Sequence, residues 1–148
     1  MDRLLTWFRS TGGDMVWNAL VLVTVLIPLG GLSIDVARYF NLRAGLATAS
    51  DAAAAAAAQC LDIPRFQNTG DVFLLPACVE AEAQTVFAAN VADLDPAAYN
   101  PRFLDVAIDE GIDSVRVRAA GEIRLMFGLT PAFTVDVAAE SRYRMDSR

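Results

Sequence analysis

Histidine and lysine are absent from the 148-residue sequence, and cysteine occurs only twice. Without histidine the chain lacks the commonest metal ligand and general base, and two cysteines cannot by themselves complete a cysteine-rich zinc site. We therefore expect no metal centre and no cofactor. No nucleophile and base stand in a recognisable pattern, so we also expect that the protein is not an enzyme and takes no small-molecule substrate.

Positive charge is in short supply, since the formal net charge is -6. Binding to a phosphate backbone requires clustered cationic side chains, so the composition excludes nucleic acid as a partner. Hydrophobic residues make up 55% of the chain. This fraction exceeds the usual value of about 45–50% for soluble domains, so part of the apolar surface must be covered by something other than a small core.

One uncharged block accounts for much of this excess: residues 15–34, from Met15 to Ile34. At about 1.5 Å per residue a helix of this length spans roughly 30 Å, the hydrocarbon thickness of a bilayer. We predict a single transmembrane helix with the lipid bilayer as its partner. Asn18 and Thr24 are its polar residues, available for interhelical hydrogen bonds or for burial at headgroups or backbone. Pro28 should bend the helix and deprive the Thr24 carbonyl of its intrahelical donor.

The flanking segments set the expected topology. Basic residues are equally frequent on both sides of the block, so charge does not orient it. A short N-terminal tail is easily retained, whereas the long C-terminal part can translocate. We expect residues 1–14 to form a cytoplasmic interfacial segment or a frayed terminus, and residues 35–148 to lie outside. A cleaved signal peptide is the alternative, although its apolar core typically has only about 7–15 residues.

The helix is predicted to continue well beyond the membrane. No proline follows until Pro64, and residues 52–58 are all alanine, the best helix former. We expect one helix over residues 14–61, roughly 70 Å long, of which 35–62 is the part outside the membrane. Small residues recur on one of its faces at three- and four-residue steps: Gly45, Ala49, Ala53 and Ala56. Such a face can pack against the protein's own globular part or against a partner helix.

Residues 63–148 are predicted to form a head of α+β class. We expect a loop over residues 64–76 with a turn at 68–70, and a second helix over 77–91 that is broken at 93–101. Two-residue alternation then predicts three antiparallel strands over 103–108, 115–125 and 133–143. Both helices should cover one face of this small sheet, which gives an α+β layer architecture.

The two cysteines are candidates for a disulfide. Cys60 lies near the end of the long helix, and Cys78 lies 18 residues later in the first turn of the second helix. An extracytoplasmic pair at this spacing would join the two helices and stabilise the fold by about 3 kcal/mol. Two free thiols would instead indicate that the head is cytoplasmic.

Several acidic residues are candidates for binding a metal ion or for forming an ion pair. Asp105, Asp109, Glu110 and Asp113 could offer oxygen ligands to calcium, but they lack the alternating carboxylates of a dedicated loop, and Glu-Gly is typical of a turn. Asp35 and Arg38 lie one helical turn apart at the membrane exit. We expect them to form a local ion pair or to be solvated.

Residues 12–59 resemble the N-terminal signature of TadE/TadG-like proteins of the tight-adherence (Tad, or Flp) pilus system. The resemblance is carried by a Gly-led apolar helix followed by three steps: Asp35, Arg38 and Tyr39; Arg43 and Leu46; and Ala49 with Asp51 before the alanine run. Residues 115–144 are similar to the family's closing strands. The resemblance implies a non-catalytic, membrane-anchored, pilin-like or envelope component in the inner membrane of a bacterium, with a periplasmic head.

Two roles remain open at this point. The chain could be a pilus assembly protein or minor pilin, packing against other membrane proteins or copies of itself. It could also be a small accessory subunit that packs its helix and head on a larger integral membrane complex. Cleavage of a leader after Gly13 would place Asn18 at the fifth mature position, where prepilin processing requires Glu.

Overall fold

A computed structural model describes residues 14–126 and 132–143. Its first feature is one long helix over residues 14–57, made of α1 (Asp14–Val21), a π-helical segment (Leu22–Leu26) and α2 (Ile27–Ala57). Our expectations for the N-terminal tail and for a cleaved leader lie outside the described residues.

The long helix ends earlier than residue 61. After Ala57 the chain turns, so that the Cys60 N–H donates to the Ala57 carbonyl at 3.2 Å. The Cys60 carbonyl then accepts from the Leu75 N–H at 2.9 Å, and Leu61 forms an isolated bridge with Leu74. Pairing with a distant segment therefore takes the backbone groups that a further helical turn would have used.

The loop expected over residues 64–76 was wrong in its first half, because α3 (Ile63–Thr69) is helical. The Asp62 side chain caps its start by accepting from the Arg65 N–H at 3.1 Å, and Pro64 stands in the first turn, where its missing N–H costs nothing. Gly70 ends the helix at φ 77°, a left-handed conformation that glycine adopts readily.

Two more helices precede the sheet. α4 (Pro76–Asn90) agrees with the predicted second helix, and Pro76 again supplies the first turn. The expected break after it contains one short helix, α5 (Pro96–Tyr99), which was not predicted from the sequence. The Asp95 carboxylate caps α5 by accepting from the Ala97 N–H at 2.9 Å.

The sheet has three antiparallel strands in the order β1-β2-β3: β1 (Arg102–Asp109), β2 (Ser114–Ile123) and β3 (Phe133–Arg142). The second strand ends at Ile123, two residues before the predicted limit. A bulge at Leu104 shifts the register between β1 and β2, so that Phe103 and Val106 both face the helices. The alternation in β2 is the one predicted, with Val115 and Val117 buried and the arginines between and after them exposed.

The helices and the sheet form two layers with one core. α2 lies across β2 and β3, while α4 packs on β1 and on α2. Gly121 in β2 permits the closest approach, since a Cβ there would lie 2.9 Å from Leu42 Cδ1. Phe87 and Phe103 meet edge to face between α4 and β1, with ring centroids 5.7 Å apart. The predicted α+β class, with a long N-terminal helix and a three-stranded antiparallel sheet, is confirmed.

Candidate functional site

The first half of the long helix projects away from the head. Among the described residues one helix is long and apolar enough to cross a membrane, the one that includes Met15–Ala57, and only 11% of its most apolar window is buried within the chain. The large side chains of its first half are about half exposed or more, among them Met15, Val16, Trp17, Leu20, Leu22, Val23, Leu26, Ile27, Leu29, Leu32 and Ile34. A helix at the core of a soluble domain would instead be covered by its neighbours.

The π-helical segment ends at Leu26, two residues before Pro28. Proline has no N–H for the carbonyl four residues earlier, and its ring crowds that carbonyl, so a wider turn accommodates it. We predicted a bend at Pro28, and the irregularity that the structure shows beside it is this π-helical segment. The Thr24 hydroxyl donates to the Leu20 carbonyl, which is the backbone alternative considered for this residue. Asn18 is half-buried.

Asp35 is the first charged residue after the apolar block, and only 5% of it is exposed. Its two carboxylate oxygens accept hydrogen bonds from the Met126 N–H, at 3.1 and 3.0 Å. Met126 lies beyond the end of β2, 91 residues away in sequence. The carboxylate therefore fixes the far end of the sheet to the long helix at the point where the apolar block ends.

Arg38 completes this contact one turn later. Its Nη1 lies 3.5 Å from Asp35 Oδ1 and donates to the Arg124 carbonyl at 3.2 Å. The guanidinium also lies 5.7 Å from the centre of the Tyr99 ring, within the range of a cation–π interaction. The expected local ion pair is present, but both of its members also bind the segment after β2. That contact could not be predicted from the sequence, because no residue pattern pairs Arg124 or Met126 with the long helix.

The other residues that carry the family resemblance have different structural roles. Tyr39 accepts a hydrogen bond from Arg43 Nη1 at 3.4 Å, so this pair links successive turns of the helix. Leu46 has no exposed surface and packs in the core, whereas Asp51 is exposed. The structure thus brings Asp35, Arg38 and the sheet end together and leaves Asp51 apart from them.

The face of small residues is turned partly into the head. Ala49 and Ala53 have no exposed surface, and Ala56 is half-buried. A Cβ at Gly45 would lie 3.1 Å from both methyl carbons of Leu94. Small side chains therefore let α2 approach its own head, which is one of the two alternatives weighed for this face.

Cys60 and Cys78 form a disulfide, with Cα atoms 5.7 Å apart. The bond joins the third residue past α2 to the first turn of α4, and it lies beside the buried residues of the core. No other cysteine exists in the chain. The end of the long helix is thus covalently tied to the helix that packs on it.

The acidic residues near the β1–β2 turn have local partners. Asp109 Oδ1 accepts from the Gly111 N–H at 2.9 Å, which is turn chemistry. Asp105 accepts from Arg118 Nε at 2.9 and 3.0 Å on the outer face of the sheet. This hydrogen-bonded guanidinium lowers the pKa of Asp105 and, reciprocally, the carboxylate raises the pKa of Arg118. Within residues 14–126 and 132–143 no three His, Cys, Asp or Glu side chains are grouped to hold a metal ion.

Comparison with known families gives one match. Residues 19–59, little more than a quarter of the chain, match the family described as putative Flp pilus-assembly TadE/G-like. The matched segment covers most of the apolar block, the Asp35–Arg38 pair and the alanine run, so the resemblance drawn from these residues is confirmed. No curated protein and no solved structure matches the chain.

Proposed function

We propose that this chain, a TadE/TadG-like protein by the match of residues 19–59, is a non-catalytic structural component of a Tad (Flp) pilus assembly, resembling a minor pilin. One observation carries the proposal: a single helix has an uncovered apolar first half, while its second half is the central support of a small α+β head. Such a part can place its apolar half in lipid, among other membrane helices, or among copies of itself.

The proposal assigns the apolar half to the bacterial inner membrane, with the N-terminus in the cytoplasm and the head in the periplasm. The disulfide supports this orientation, because such bonds persist in oxidising compartments and are rare in the cytosol. The proposed units are residues 1–14 as the cytoplasmic segment, 15–34 as the span, 35–62 as its continuation and 63–148 as the head.

The proposed partners are those that can cover the exposed apolar half of the long helix. Lipid covers the exposed side chains of an isolated span, and a neighbouring helix can replace lipid at little cost because both are apolar. We assign the span a role in contacting other pilus proteins or further copies of the chain. The packing face at Gly45, Ala49, Ala53 and Ala56 is assigned to the head, since Leu94 already occupies part of it.

Membrane anchoring is tested with two matched arginine variants. Val25 in the span and Ile112 at the far end of the head are 47% and 48% exposed, so neither arginine meets a packed core. An arginine at the middle of a span costs about 2.5–3.5 kcal/mol on insertion scales. Val25→Arg should move much of the protein out of the membrane fraction, and Ile112→Arg should not. Equal retention of both variants would contradict anchoring by this helix.

Assembly is tested by photo-crosslinking in cells that make the pilus. A photoreactive residue in place of Leu29, 53% exposed in the span, should give adducts with pilus proteins or with a second copy. The same residue in place of Ile112 reports on nonspecific neighbours. Sheared fibres and mild-detergent complexes are then analysed separately. Adducts found with a large integral complex unrelated to pili would favour the accessory-subunit role and contradict the proposal.

A further inference from the structure

An apolar groove lies between the long helix and the end of the sheet. Leu32 and Val36 form its helix side, Leu125 and Phe133 form its sheet side, and its volume is about 270 Å³. Met126 adjoins it through the hydrogen bonds to Asp35. We call these five residues, Leu32, Val36, Leu125, Met126 and Phe133, the membrane-end surface.

The large apolar side chains of this surface are about half exposed. Leu32, Val36, Met126 and Phe133 are 56%, 46%, 58% and 51% exposed. The carboxylate in the groove belongs to Asp35, which is buried, forms an ion pair with Arg38 and accepts a hydrogen bond from the Met126 N–H. No free acidic group of the described lining therefore opposes contact with an apolar or anionic surface.

The position of the groove along the long helix identifies what covers it. Leu32 lies inside the uncharged block, and Val36 lies two residues past its end at Ile34. The exposed apolar surface of the helix thus continues without interruption from Met15 into the groove. If the block spans the bilayer, the groove lies at the level where hydrocarbon gives way to headgroups.

We infer that the membrane-end surface is a second membrane contact: the end of the sheet at Leu125, Met126 and Phe133 rests in the interfacial layer of the bilayer that holds the span. This inference rests on the proposed membrane anchoring. Apolar side chains of an interfacial element are buried about 5–10 Å into the boundary between headgroups and acyl chains. Arg124 is exposed at the same level, and a side chain of this length can reach lipid phosphates from there.

The contact between Asp35 and Met126 fixes where the membrane-end surface lies along the long helix. It holds the sheet end against the helix at a fixed height, so the head cannot pivot freely about the membrane exit. The head is therefore held at the membrane by two contacts, the span and the sheet end. A second copy of the chain could also cover the same apolar residues, and the experiment below distinguishes this arrangement from contact with lipid.

The test places a tryptophan reporter at either end of the sheet in the full chain. Trp7→Phe and Trp17→Phe first remove the two native tryptophans. Met126→Trp then reports on the membrane end. Ile112→Trp, in the turn between β1 and β2 at the opposite end of the sheet, is the matched control because Ile112 is similarly exposed. Both proteins are placed in vesicles of phosphatidylethanolamine and phosphatidylglycerol, with lipids brominated near the glycerol end of the acyl chain as the quencher.

Contact with lipid predicts that the reporter at position 126 is blue-shifted and loses intensity with brominated lipid, while that at 112 responds only to aqueous acrylamide. Equal responses at the two positions would overturn the inference. Protection of position 126 from both quenchers would indicate a second copy and would also overturn it. A variant that retains Trp17 alone checks the span: if Trp17 is quenched by lipid and position 126 is not, the anchoring proposal stands and this inference fails.

Discussion

At the scale of single residues, Asp35 has the largest assigned structural role. Replacement by Ala would leave the Met126 N–H and the Arg38 guanidinium without their carboxylate. A partly buried donor that loses its partner costs about 1–3 kcal/mol, so Asp35→Ala should lower the free energy of unfolding by that amount. Urea unfolding in mild detergent, followed by circular dichroism, measures the change.

Asp51→Ala is the matched control for this prediction. Asp51 is a carboxylate on the same helix but is exposed, and surface substitutions usually change stability by less than about 0.5 kcal/mol. If the two variants lost equal stability, the contact between Asp35 and the sheet end would contribute nothing measurable to the free energy of unfolding.

The ion pair of Asp105 and Arg118 predicts a dependence of stability on pH. Because the hydrogen bonds from Arg118 lower the pKa of Asp105 below its usual 3.8, the folded state favours the charged carboxylate. The resulting stabilisation is fully present above pH 3.8 and is lost as the pH falls through the lower folded-state pKa. The difference in unfolding midpoint between the native chain and Asp105→Asn should therefore shrink under acidic conditions.

A carbon-detected NMR titration of the carboxyl groups provides an independent reading of the same pair. The pKa of Asp105 should rise towards its usual value in Arg118→Gln, because the principal hydrogen-bond donor is removed. An unchanged titration curve in that variant would mean that the lowered pKa has another cause.

At the scale of elements, the packing of α2 on β2 depends on Gly121. A Cβ there would lie 2.9 Å from Leu42 Cδ1, 3.1 Å from Leu46 Cδ1 and 3.2 Å from the Tyr99 carbonyl oxygen. Since the last of these is backbone, the crowding cannot be relieved by rotating a side chain. Gly121→Ala should cost about 1–3 kcal/mol, measured as a lower thermal midpoint in detergent.

Gly30→Ala serves as the comparison, because no heavy atom lies within 4 Å of a Cβ at that position. It should cause no loss of stability. A similar loss in both variants would indicate that glycine matters at these positions for reasons other than close packing.

The elements also show what the sequence could predict. The long helix was predictable from its proline-free alanine run, and the strands from their alternation, because these patterns depend on neighbouring residues alone. α3 was not predictable in the same way, because the turn residues at its end favour a loop although Asp62 and Pro64 are typical of a helix start. The bulge at Leu104 was not predicted, because nothing local marks where two strands change register.

The candidate site was predictable only in part for the same reason. The cysteine pair and the motif residues Asp35 and Arg38 could be found by type and spacing. Their contact with Met126 could not, because it joins residues 91 positions apart and depends on how the whole sheet lies against the helix. Sequence patterns identified the charged residues at the end of the apolar block, and only the tertiary structure supplied their partner.

At the scale of the whole molecule, the proposed orientation makes the head accessible from the periplasm. Ile112 is 48% exposed in the turn between β1 and β2, at the end of the sheet opposite the membrane-end surface. Ile112→Cys adds one thiol there, while Cys60 and Cys78 are joined to each other. A membrane-impermeant maleimide should therefore label this variant in intact spheroplasts and leave the native chain unlabelled.

The native chain supplies the second half of this prediction. After denaturation without reductant it should remain unlabelled, and after reduction it should take up two labels, because an oxidising compartment keeps its disulfide closed. Labelling of Ile112→Cys only after lysis, together with two free thiols in the native chain, would place the head in the cytoplasm. The orientation would then be reversed, whereas the fold and the contact of the sheet end with the long helix would be unaffected. The experiment thus separates how the molecule is built from which side of the membrane its head occupies.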